Sequence, residues 1–202
     1  MTTIYGFGAA DGMNEHGLGA HLLYLEDTSL EPSHPALPGL QTGLWPLYLL
    51  DTCATVREAV ELLGTFHMVM IEAHGHKSIV HLSLEDKSGD SAIVDYVDGK
   101  RTIHHIRTYT IQTSEPPYQE QLDPLSQQDF SNPTDSMPLP GNVSPIDRFQ
   151  RAAYFSALLP EPKIDRETVS GVLAIARNVS IPFGAPYGGR RLQHRIPNCP
   201  GP

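Results

Sequence analysis

Ten histidines and two cysteines are the side chains of this 202-residue sequence best suited to carry chemistry. In "AHGHKSIVH", His74 and His76 stand two apart, so an extended backbone points both the same way, with His81 close by. A zinc site needs three or four such ligands with carboxylate or imidazole neighbours. No partner motif such as HExxH accompanies them, so "HGHK" reads as a polar hairpin turn and His81 as a half-buried strand residue. No metal site is expected. "YGFGAADG" has glycines enough for a phosphate cradle. It neither follows a clear strand nor opens a helix, and such a cradle needs the N–H groups of a helix N-terminus. Cys53 follows "PLYLLDT" on an apolar helical face and reads as a small buried hydrophobe, while Cys199 lies in the non-periodic "IPNCPGP". Neither cysteine has a base beside it, and there is no G-x-S-x-G elbow. The visible residues make no complete catalytic centre and call for no cofactor.

Composition narrows the partners. A net charge of −9 and a pI near 5.5 leave no Lys/Arg cluster to displace counterions from phosphates, so neither nucleic acid nor an anionic membrane surface is expected. No run approaches the apolar length of a membrane span. "MTTIYGFGAADG" lacks the basic start and apolar core of a signal peptide. At 40% hydrophobic and 18% charged, the chain has the composition of one ordinary globular domain.

The elements that must position these residues can be read in order. After a short apolar piece from Tyr5, "MNEHG" is a turn with Gly17 free to take positive φ, and "LGAHLLYL" is a strand. The Pro-rich "TSLEPSHPALPGLQT" is an ordered loop, followed by a short helix in "GLWPLYLLDTCA" with Pro46 near its first turn. "TVREAVELLGTF" carries a capping box, Thr55 answered by Glu58, with Val56, Ala59, Val60, Leu62 and Leu63 on one face. "HMVMIEA", "SIVHLSLED", "SAIVDYVDG" and "RTIHHIRTYTIQT" are strand-like runs, and apolar residues alternate in "IVHLSL" and "AIVDYV" as in antiparallel strands with one buried face. A polar, Pro-rich linker of about two dozen residues after Tyr118 leads to a helix with Ser144 as N-cap, Pro145 at its first position and Asp147 near the dipole's positive end. A second helix starts at Asp165. Strands precede helices without βαβ alternation, so the class is α+β.

Five stretches give the chain a resemblance: "ADGMNEHGLGAHLLYL", "LSLEDKSGDSAIVDYVDGK", "TYTIQTSEPPYQEQL", "LPGNVSPIDRFQRAAYFSALLPEP" and "RNVSIPFGAPYGG". In this order they resemble the choloylglycine hydrolase / penicillin V acylase family, over nearly the whole length from Ile4 to Gly189. The resemblance implies an N-terminal-nucleophile hydrolase with an αββα sandwich, cleaving linear amides of penicillin V, bile-salt conjugates or acyl-homoserine lactones. In such enzymes a cysteine at the mature N-terminus attacks the carbonyl and its own α-amine takes the thiol proton. It further implies a role for Tyr24, whose backbone N–H matches half of an oxyanion hole. Ser114 falls where the family usually has an Asn that completes the hole. Arg148 matches an arginine that tunes the nucleophile's charge environment. Tyr at position 24, rather than Asn, is similar to the acylase branch; a bile-salt hydrolase and a non-catalytic binding remnant are the alternatives.

The family's cysteine, and the Arg and Asp that follow it, belong to a strand before "ADGMNE", so the expectation is a fragment whose first and last strands are missing and which is inactive alone. Residues 1–189 are then the central part of one domain. Residues 190–202, "RRLQHRIPNCPGP" after one shared glycine pair, resemble nothing in the family and suit a frameshifted tail. The implied partners are a small-molecule amide substrate and further copies of the chain, as a homotetramer when full length, in either periplasm or cytoplasm.

Overall fold

A computed structural model describes residues 2–4, 8–73, 75–105, 107, 111–187 and 190–191. The chain divides into two compact units, Met1–Asp123 and Pro124–Pro202. In the first, strands β1 (Thr2–Ile4), β2 (Gly8–Met13) and β3 (Gly19–Tyr24) are followed by β4 (Gly39–Gln41) and by helices α1 (Trp45–Thr52) and α2 (Val56–Leu62). Then come β5 (His67–Val69), β6 (Glu72–Ala73), β7 (His76–Lys77), β8 (Val80–Glu85), β9 (Ser91–Val97), β10 (Lys100–His105) and α3 (Tyr118–Leu125), which crosses the unit boundary. One antiparallel sheet has the order β1-β2-β3-β8-β9-β10. The second unit holds α4 (Pro145–Ala157), α5 (Asp165–Val179) and the short pair β11 (Pro186–Tyr187) and β12 (Arg190–Arg191). No described helix is long and apolar enough to cross a membrane.

Alternation decides what each face of the sheet carries. Leu18, Ala20, Leu82, Leu84, Ala92, Val94 and Tyr96 fall on one face and are buried with Trp45 and Leu49 of α1, and with Val56, Ala59 and Leu63 in and beside α2. The ring of Trp45 meets Tyr96 edge-on at 5.7 Å. The Thr55 cap forms as read, with the Glu58 N–H donating to Thr55 Oγ1 at 3.3 Å, but the returning bond shifts by one residue: Glu58 Oε2 accepts from the Ala54 N–H at 2.7 Å. Asp86, from the β8–β9 turn, adds a bond from the Val56 N–H at 2.9 Å and so fastens α2 to the sheet.

The β2–β3 turn is fastened as well. Asn14 Nδ2 donates to the Leu50 and Cys53 carbonyls at the end of α1, while its Oδ1 accepts from the backbone of His16 and Leu18. Gly17 takes φ +85° there, as read. Glycine at position 8 serves close packing rather than phosphate: a Cβ would sit 2.6 Å from the Gly43 carbonyl oxygen.

Four readings change. Gly8–Met13 is strand β2, paired with β1, because its edge N–H and C=O groups find a neighbour that the local sequence does not announce. The Pro-rich loop ends in β4, which pairs in parallel with β5 across α1 and α2, so one small βααβ crossover does exist. Tyr118–Leu125 is helix rather than linker: Tyr118, Gln121 and Leu125 recur at helical spacing and are buried, enough to outweigh Pro124 in its last turn. His81 is fully buried rather than half-buried.

Candidate functional site

Tyr24 ends β3, opposite Val80 of β8, and its side chain is 48% exposed. The Leu25 N–H donates to the Ile79 carbonyl at 3.1 Å. Antiparallel ladders alternate, so the N–H of Tyr24 points away from β8.

Ser114 lies half-buried in the segment 111–117, which leads into α3. Gln121, fully buried on α3, grips this segment at four points. Its Oε1 accepts from the N–H and the hydroxyl of Thr113, both at 3.0 Å. Its Nε2 donates to the carbonyls of Thr113 at 2.9 Å and Pro116 at 2.6 Å. Asp95 of β9 holds the other end, accepting the Tyr118 N–H on Oδ2 at 2.7 Å. Its Oδ1 lies 3.0 Å from Nδ1 of His81, which donates to it, and the ring of His104 meets Tyr118 edge-on at 5.1 Å. Leu23↔His81 is a register pair of β3 and β8. The row Leu23, His81, Asp95, Tyr118 therefore runs from the residue beside Tyr24 to the segment that carries Ser114. Sequence reading found neither Gln121 nor Asp95; the available signal was an Asp in the buried run "SAIVDYV".

Arg148 belongs to the second unit. Ser144 caps α4, its Oγ accepting the Asp147 N–H at 3.1 Å, with Pro145 at the first position, as read. This sets Arg148 one turn into the helix, where its Nε donates to the Val143 carbonyl at 3.2 Å.

Cys53 is buried, and that burial pushes its thiol pKa up, so it has little thiolate character. Cys199, His74 and the side chain of His76 lie outside the described residues. Among the described residues no group of three or more His, Cys, Asp or Glu could hold a metal ion. His21 instead bridges two carboxylates, Nδ1 at 2.9 Å from Asp11 and Nε2 at 2.7 Å from Glu85. The Glu85 hydrogen bond, with help from Asp11 and against partial burial, raises its pKa to about 9.

Architecture and likeness to solved structures place the chain among N-terminal-nucleophile hydrolases. It superposes on the penicillin V acylase from Agrobacterium tumefaciens with a TM-score of 0.81 at 37% identity, over 93% of this chain and 57% of that one. A variant of the conjugated bile acid hydrolase from Clostridium perfringens shares the fold at TM-score 0.73 and 22% identity, over 91% of this chain and 63% of its own. Residues 1–191 match the sequence profile of the linear amide C–N hydrolases, choloylglycine hydrolase family, and the chain belongs to that family. Its relatives include a penicillin V acylase of Pectobacterium atrosepticum, 37% identical over 192 residues. An uncharacterized protein of Paramecium bursaria Chlorella virus 1 is 26% identical over 196 residues. The chain spans 50% of the Pectobacterium acylase and 67% of the viral protein.

Proposed function

We propose that this chain forms the oxyanion-binding part of a cysteine amidohydrolase acting on linear amides of the penicillin V type. The observation that carries the proposal is the 37% identity to penicillin V acylases, against 22% to a bile acid hydrolase. In this reading the Tyr24 N–H and Ser114 stabilise the negative charge that develops on the amide oxygen. Arg148 sets the charge around the attacking thiol. Loss of one such donor typically costs about 3–4 kcal/mol of transition-state stabilisation, so the short Ser114 hydroxyl makes a weaker hole than an Asn amide. Cys53, buried and with its pKa raised, is not the nucleophile, and the 202-residue chain on its own is expected to turn nothing over.

Calorimetric titration of the purified chain with penicillin V, with a conjugated bile acid alongside, tests this. Penicillin V binding without release of free amine supports the reading. Tighter binding of the bile acid transfers it to the bile-acid branch, and turnover by the chain alone overturns the assignment of Cys53.

A further inference from the structure

Gln112 stands two residues before Ser114, within about 7 Å along even a fully extended backbone. Its side-chain amide is not among the groups that the Gln121 clamp holds. Nε2 and Oε1 are both buried, and neither has a hydrogen-bond partner among the described residues. Gln121, in the same neighbourhood, satisfies its amide completely, so the local packing is able to serve a glutamine. An amide stripped of water on both its atoms is costly to keep, and a native structure that keeps one calls for a reason.

Resting on the reading of Tyr24 and Ser114 above, we propose that the Gln112 side-chain amide is a further oxyanion-hole donor, supplying the N–H that Ser114 cannot. The chemistry required at this place is a side-chain amide donor. Ser114 provides only a short hydroxyl, whereas Gln112 provides that amide from two residues away and on a longer stem. Because the flanking residue Thr113 is held on three of its polar atoms by Gln121, the segment presenting Gln112 is fixed at its neighbour. A donor without a partner has no protein bond to give up when a substrate oxygen reaches it. Its destabilising cost in the free protein is the counterpart of that readiness.

The two roles open to a buried glutamine predict opposite stabilities. A structural glutamine loses stability on Gln112→Leu; an idle donor waiting for ligand does not. The test uses the full 202-residue chain with penicillin V as probe. Three readings are taken on Gln112→Leu, Ser114→Asn and the double variant: thermal midpoint, penicillin V affinity by calorimetry, and the side-chain amide resonance of Gln112 in a ¹H–¹⁵N spectrum.

The expected result is a Gln112→Leu midpoint equal to or above wild type and an affinity about 3- to 10-fold weaker, the worth of one net hydrogen bond. Ser114→Asn should restore that affinity in the double variant, and the Gln112 resonance should shift on saturation. A lowered midpoint in Gln112→Leu makes the residue structural and overturns the proposal. So does a Gln112 resonance that stays still while the Tyr24 and Ser114 amides move, an outcome that leaves the wider reading standing. If none of the three responds to penicillin V, the wider reading fails, and the proposal fails with it.

Discussion

On one face of the six-stranded sheet, Leu82, Leu84 and Val94 lie with Trp45 and Leu49 of α1. On the other face, His81 meets Asp95, and His21 lies between Asp11 and Glu85. The strands are the same; only the parity of the residue number differs. The apolar face is stabilised by area removed from water and tolerates no gap. The polar face is stabilised by pairs, each of which strands its partner if one member is lost. The first kind of face makes the chain fold, and the second carries the Ser114 segment in place, so damage to the two should be separable.

Leu82→Ala gives the largest expected effect. The side chain is fully buried, so a cavity is left beneath α1 and α2, and the loss in unfolding free energy should be about 2–5 kcal/mol by chemical denaturation. A cost below 1 kcal/mol would mean that this face is not the folding core.

Asp95→Ala sharpens the contrast. It strands Nδ1 of His81 and the Tyr118 N–H together, at about 1–3 kcal/mol for each orphaned group. Unlike Leu82→Ala, it should speed hydrogen exchange at the Thr113 and Tyr118 amides well before global unfolding. Equal protection in both variants would break the division between the faces.

Thr55→Ala removes a helix cap from the apolar side and should cost about 1 kcal/mol, with no change at Thr113.

The smallest effect is the pH dependence of His21. Its pKa is about 9 in the folded chain against 6.5 ordinarily, so its contribution is present in full below pH about 6.5 and is lost as pH rises through about 9. The side chain is 35% exposed, which holds the contribution to about 0–1 kcal/mol. The midpoint difference between wild type and His21→Gln should therefore narrow across that window, and a gap that widens with pH would reverse the assignment.

How far these features were legible in the chain differs with their kind. Caps and amphipathic stripes involve residues three to seven apart, so Thr55, Glu58, Ser144 and Asp165 announced α2, α4 and α5 within a residue. Helix α3 was hidden because its case rests on burial of Tyr118, Gln121 and Leu125, which the nearby Pro116, Pro117 and Pro124 contradict. Tyr24, Ser114 and Arg148 came from resemblance to a family; without it each was an ordinary strand-end aromatic, turn former and helix surface residue.

The sequence by itself determined the α+β class, the buried alternation of β8 and β9, the helix starts and, through five ordered stretches, the family. These follow from short-range spacing and from residue identity, which the chain carries locally. Tertiary structure alone decided that His81 faces Asp95, fourteen positions on. It also decided that Asp95 holds Tyr118, that Gln121 clamps Thr113, and that the Gln112 amide is left without a partner among the described residues. The physical reason is that a polar group's state is set by which atoms surround it once water is gone. Strand register and helix docking choose those atoms, and neither is written in the spacing along the chain.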